Sequence, residues 1–201
     1  MRARVGFLVW IIAVLPLLNA CSTPPRISFY LLDTGAPVPA QASSSLVVAI
    51  GPVDLPRYLD RPQIVTRTGG NRLWVDEFNR WGGSLDEDIT RVLSRRIGDK
   101  LGTRRIYAHP SPVTADTDYR IALDIRTFDG TLGGDVVLEG SWSIIDDRSS
   151  EVVQTGHARH RSATAAADHA AYAAALSAVV VMLADELAEV IGHLSPPRSG
   201  R

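Results

Sequence analysis

The sequence predicts a single-domain α/β sandwich: a mixed sheet that includes an antiparallel meander, with two main helices packed on it. Three patterns predict this. Leu85, Ile89, Val92, Leu93, Ile97 and Leu101 recur at three- and four-residue spacing, which places them on one face of a helix. Leu176, Val179, Val180, Leu183, Leu187, Val190 and Ile191 define a second such face. Between them, three stretches alternate apolar and polar residues with period two, as strands do when one face meets a core.

In chain order, 27–32 is β-rich, and after a Pro, Ala and Ser stretch comes Leu46-Val47-Val48-Ala49-Ile50, a continuous apolar run suited to a central strand covered on both faces. Residues 63–68 and 72–75 flank Gly69-Gly70-Asn71, a turn signal that makes them a hairpin. Ser84 and Glu87 have capping-box spacing at the start of the first helix, and Asp86, Glu87 and Asp88 suit the positive end of its dipole. Gly102 supplies a left-handed C-cap. The meander comprises a strand from Tyr119, one over 136–145 and one over 151–157, with turns at Gly133-Gly134 and Asp146 to Ser149. The second helix is expected from about Asp168 to Ile191, ending at Gly192. The domain spans 27–194, and 195–201, with Pro196-Pro197, reads as a flexible tail.

The chain has 201 residues, 45% hydrophobic and 21% charged, with a formal net charge of −1. That balance is globular and excludes a basic nucleic-acid binder. Removing 1–20, whose only charges are Arg2 and Arg4, takes two from 21 basic groups and leaves 19 against 22 acidic ones, a net −3. A single Cys forms no internal disulfide, and a chain of this length buries roughly 70% of its unfolded surface without one.

Residues 1–20 read as an export signal. Two arginines precede an apolar run, Val5 to Leu18, broken only by Gly6 and Pro16 and shorter than the ~20 residues of a spanning helix. The run ends Leu18-Asn19-Ala20-Cys21, which is similar to the lipobox of bacterial lipoproteins, although Asn19 stands where Ala, Ser or Thr is usual. Cys21 is therefore expected to be acylated and to become the first mature residue, with 21–26 a Pro-rich leader. Acylation also removes an unpaired thiol from an exported protein. Multiple acyl chains, at ~0.8 kcal/mol per buried methylene, make a stable anchor. Ser22 follows the Cys where an Asp would be the usual inner-membrane retention signal in Gram-negative lipoproteins, so the resemblance implies the outer membrane, facing the periplasm.

Catalytic signatures are missing from the sequence. It has no Gly-x-Ser-x-Gly elbow, no phosphate loop, no Gly-x-Gly-x-x-Gly and one lysine, Lys100. No enzymatic activity, cofactor or metal is expected. His157 and His160 would point to opposite faces of a strand and, with Arg159 and Arg161, read as a solvated strand end.

The stretch 55–67 is different in kind. Two prolines stiffen it, and Tyr58, Leu59, Arg61 and Pro62, together with Trp81, are residues suited to a partner surface. The competing reading is structural: Tyr58, Phe78 and Trp81 cap the sheet while the arginines pair with Asp60 and Glu77.

Leu55-Pro56-Arg57-Tyr58-Leu59-Asp60-Arg61-Pro62-Gln63-Ile64-Val65-Thr66-Arg67 resembles the signature of the ABC-type transport auxiliary lipoproteins, the PqiC-like family. Glu77-x-x-Arg80-Trp81 before the amphipathic helix is similar too, as are Cys21-Ser22-Thr23-Pro24-Pro25 and Phe29-Tyr30-x-Leu32. Gly82-Gly83 departs from the residues that commonly follow the Trp. The resemblance implies an α/β domain anchored to the outer membrane by its N-terminal lipid. It further implies work beside an inner-membrane permease complex with a periplasmic MCE-domain protein that passes lipids, and self-association is compatible with that role. The alternative is a periplasmic lipoprotein that binds a small ligand or peptidoglycan.

Overall fold

The computed structural model describes residues 25–36, 44–110 and 116–194. The expected signal at 1–20, Cys21 and the tail at 195–201 lie outside the described residues. The chain forms the mixed α/β domain that its periodicity predicts, with its strands divided between two sheets. In order these are β1 (Ser28–Tyr30), β2 (Val48–Asp54), a 3-10 turn (Arg57–Leu59), β3 (Gln63–Arg67), β4 (Leu73–Trp81), α1 (Leu85–Leu101), β5 (Ile106–Ala108), β6 (Tyr119–Gly130), β7 (Asp135–Asp146), β8 (Glu151–Ala163) and α2 (His169–His193).

The larger sheet runs β5-β2-β6-β7-β8, and the smaller β1-β4-β3. The apolar run at 46–50 feeds β2, which lies between β5 and β6 and is parallel to both. Val48 and Ile50 are fully buried there. Strands β6, β7 and β8 form the expected antiparallel meander. In β7, Val136, Leu138, Gly140, Trp142 and Ile144 are buried while Val137, Glu139, Ser141 and Ser143 between them are half-exposed, because helices cover only one face of this sheet. Helix α1 packs on β2 and β5, α2 packs on β7 and β8, and the helices pack on each other.

The helical faces are as the spacing predicts: Ile89, Val92, Leu93 and Ile97 of α1, and Val179, Val180, Leu187 and Ile191 of α2, have no exposed surface. Charges link the two helices. Arg96 donates to both carboxylate oxygens of Asp185, at 2.6 and 2.8 Å, and Lys100 lies 3.5 Å away. Burial alone would raise the Asp185 carboxyl, but these two cations outweigh it and hold it below the usual carboxylate range.

Several local expectations are corrected. The Ser84 side chain makes no capping hydrogen bond; its backbone carbonyl accepts from Asp88 N–H at 3.1 Å. Asp88 is more than a dipole partner, being 7% exposed, accepting from the Leu32 N–H and pairing with Arg91. Helix α2 continues past Gly192 to His193, and β8 runs on to Ala163. His160 is half-buried rather than freely solvated. It lies beneath α2, its Nε2 3.0 Å from Glu186 Oε2, while His157 on the opposite face is exposed.

Gly156 explains how the same carboxylate reaches a second partner. A Cβ there would sit 2.3 Å from the Trp142 ring, so only glycine lets the indole cross β8 and donate from Nε1 to Glu186 Oε1 at 2.9 Å. Among the described residues, no helix is long and apolar enough to cross a membrane.

Candidate functional site

The hairpin expected around Gly69-Gly70-Asn71 forms, and it is asymmetric. The β3–β4 register slips between Gln63 and Val65, so β4 carries extra residues, with Asp76 accepting from the N–H groups of Phe78 and Asn79. Burial would raise the Asp76 carboxyl, but these donors and the nearby His169 lower it overall. Beyond the irregularity β4 continues to Trp81, whose N–H donates to the Pro62 carbonyl at 2.6 Å. Trp81 is thereby turned inward, 5% exposed, and Leu59 is 4% exposed.

Leu59 and Trp81 thus sit in the core and hold the 55–62 segment down, whereas Arg57, Asp60, Arg61 and Pro62 face outward. Pro56 accepts from Leu59 N–H at 2.9 Å, and Leu59 accepts from Arg61 N–H at 2.8 Å, closing the segment on itself. Arg80 pairs with Glu77, as the structural reading expected, but Phe78 is 46% exposed and caps nothing.

Tyr58 is fixed by a buried carboxylate that sequence reasoning missed. The Tyr58 hydroxyl donates to Asp129 Oδ2, and Arg67 donates to both Asp129 oxygens. The Asp129 side chain is 1% exposed and that of Arg67 39%. Next to it, the buried Tyr172 hydroxyl accepts from Gly130 N–H at 3.1 Å and donates to the Val65 carbonyl at 3.0 Å. One network therefore joins the segment, β3, β6 and α2. The only sequence signals were a Tyr within an alanine-rich helix and an Asp at the end of an alternating strand.

The outward rim borders a groove of about 540 Å³ between the segment and the start of α1. Its lining mixes the carboxylates of Asp54, Asp60 and Asp86 with the guanidinium groups of Arg57 and Arg61. Such a surface can dock a partner through paired charges without changing shape, because its backbone is already fixed.

Burial, followed by the hydrogen bond and charge of Asp129, pushes the Tyr58 phenol well above its ordinary value. Burial and then the Asp129 charge do the same for Tyr172, and burial with the charges of Asp146 and Asp118 raises Tyr119. Folding thus favours the neutral phenols. Their contribution is fully present below the unfolded value of about 10 and is lost as pH rises towards the folded values. An alkaline phenolate titration is expected to show a delayed fraction that appears with unfolding, and Tyr58→Phe or Tyr172→Phe should each shrink it. An unchanged alkaline limb in both variants would contradict the assignment.

Solved structures share this fold, among them two that cover most of the chain. One, an uncharacterized protein, superposes with a TM-score of 0.67 at 16% identity, covering 83% of this chain and 99% of its own. The other, a Xanthomonas campestris protein of family DUF330, gives 0.65 at 19%, covering 82% and 94%. No curated protein matches the sequence. A family model described as the ABC-type transport auxiliary lipoprotein component matches residues 30–188.

Proposed function

The chain belongs to the ABC-type transport auxiliary lipoprotein family, and from that we propose that it is a non-catalytic docking component, anchored through acylated Cys21 to the outer membrane and working in the periplasm. In this reading it receives or positions a periplasmic MCE-domain protein of an inner-membrane permease complex that moves lipid between the membranes. The observation that carries the reading is the rigid rim at Arg57, Asp60, Arg61 and Pro62. It is exposed and charged, and it is held by Leu59, Trp81 and the Tyr58–Asp129–Arg67 network. A surface so preorganised loses little entropy on binding.

Arg61→Ala is the clean probe, because Arg61 is exposed and its removal leaves the network intact. It is expected to weaken crosslinking to the conduit protein and membrane-barrier function while leaving the unfolding midpoint within about 0.5 kcal/mol of the parent. Full crosslinking and barrier function in a stably folded Arg61→Ala protein would move the interface elsewhere. If a small ligand or a peptidoglycan fragment instead protected the groove, the binding-module reading would replace this one. Intact mass of the membrane-extracted protein is expected to show a chain beginning at Cys21 and carrying acyl groups; an unmodified thiol would remove the anchor.

A further inference from the structure

Four of the large apolar side chains that remain exposed sit on one face of the smaller sheet. Ile27, Phe29 and Leu31 are 47%, 66% and 61% exposed, and Phe78 is 46% exposed. Strand β1 is parallel to β4, with Phe29 opposite Arg80 and Tyr30 opposite Trp81, so Tyr30 and Trp81 turn inward while Phe29 and Arg80 turn outward, and Phe78, two residues before Arg80, is exposed as well. Leu31 continues the outer row over Gly82, where a Cβ would stand 3.1 Å from the Leu31 side chain. The glycine departure after the Trp thus gives an exposed leucine its seat. Nothing in the fold requires these side chains to be apolar, since the core lies on the other face of the strand, and a contiguous exposed apolar row marks a contact surface.

The covalent chain limits what that surface can meet. Ile27 follows Cys21 by six residues, and at no more than ~3.6 Å per residue the row begins within about 22 Å of the Cys21 Cα. Resting on the acylation of Cys21 proposed above, we propose that the outer face of the β1–β4 pair lies against the membrane that holds the anchor. Ile27, Phe29, Leu31 and Phe78 enter the boundary between headgroups and acyl chains. An anchor alone leaves the domain free to tumble on its leader. An apolar row beside it adds a second, weaker attachment and fixes which side of the domain faces away from the bilayer.

The test uses the membrane-extracted full-length lipoprotein in phosphatidylethanolamine–phosphatidylglycerol vesicles. With Cys21 acylated, a single introduced cysteine is the only labelling site. Leu31→Cys and Val152→Cys give reporters on native positions of matched exposure, 61% and 59%, the second on β8 of the larger sheet. An environment-sensitive dye at 31 is expected to be quenched by shallow nitroxide lipids about twofold more than one at 152, and Phe29→Ser with Phe78→Ser should abolish the difference.

Intact mass is read on the same samples, which separates the two ideas. No acyl mass overturns the anchor, whereas acyl mass with equal quenching at 31 and 152 overturns the docking. Equal quenching with thiol crosslinks between copies at residue 31 would assign the face to self-association instead and would equally overturn it.

Discussion

Arg67→Ala is expected to lower the stability of the domain by about 3–5 kcal/mol, more than Asp129→Asn. The asymmetry follows from exposure. Removing Arg67 leaves the Asp129 carboxylate, 1% exposed, with the Tyr58 hydroxyl as its main remaining donor. Removing the carboxylate instead, as Asp129→Asn, leaves a guanidinium that is 39% exposed and can turn to water, so a cost of about 1–3 kcal/mol is expected. Denaturant midpoints of the two variants and of the double variant would measure both costs and their coupling. A reversed order would show that Asp129 does not carry the charge the network is built around.

Leu93→Ala is expected to cost about 2–5 kcal/mol. Leu93 has no exposed surface, and its neighbours on the α1 face, Ile89, Val92 and Ile97, are equally buried. Truncation removes methylenes from a site enclosed by the larger sheet and α2, where little can collapse into the space. Arg95→Ala on the same helix is the control: that side chain is 64% exposed and pairs among the described residues with Asp99 one turn on, so its loss should stay within about 0.5 kcal/mol. A Leu93 cost no larger than the Arg95 cost would mean that this face is not packed.

Period and punctuation made the two helices, the hairpin and the meander legible, because each is local in sequence. Partnership between distant segments left no such mark. Strand β1 pairs with β4, 51 positions on at Ser28 and Asn79, and that pairing divides the strands between two sheets. The network at Asp129 draws its members from positions 58, 67, 129 and 172, each unremarkable among its own neighbours. The motif 55–67 was legible as something special but not as to which side chains turn inward. Leu59, Trp81 and Arg61 are all ordinary at interfaces and in cores, and only the Trp81 to Pro62 hydrogen bond and the slip in β4 separate the buried ones from the exposed one. His160 was misread for the same reason, since its environment is made by a helix that follows nine residues later.

The strapping of the residues after β1 has a mechanical consequence. Leu32 N–H is held by Asp88 on α1, the Leu32 carbonyl by Arg91, and Asp33 N–H by Ser177 on α2 at 2.9 Å. Any tension applied at the N-terminus loads the three residues of β1 first and then meets these bonds, which join both helices. The short strand can peel from β4 and re-form while the straps carry the load into the largest buried elements of the domain. Under such tension the domain would therefore yield at its edge before its core, and the exposed rim at Arg57, Asp60, Arg61 and Pro62 would keep its shape.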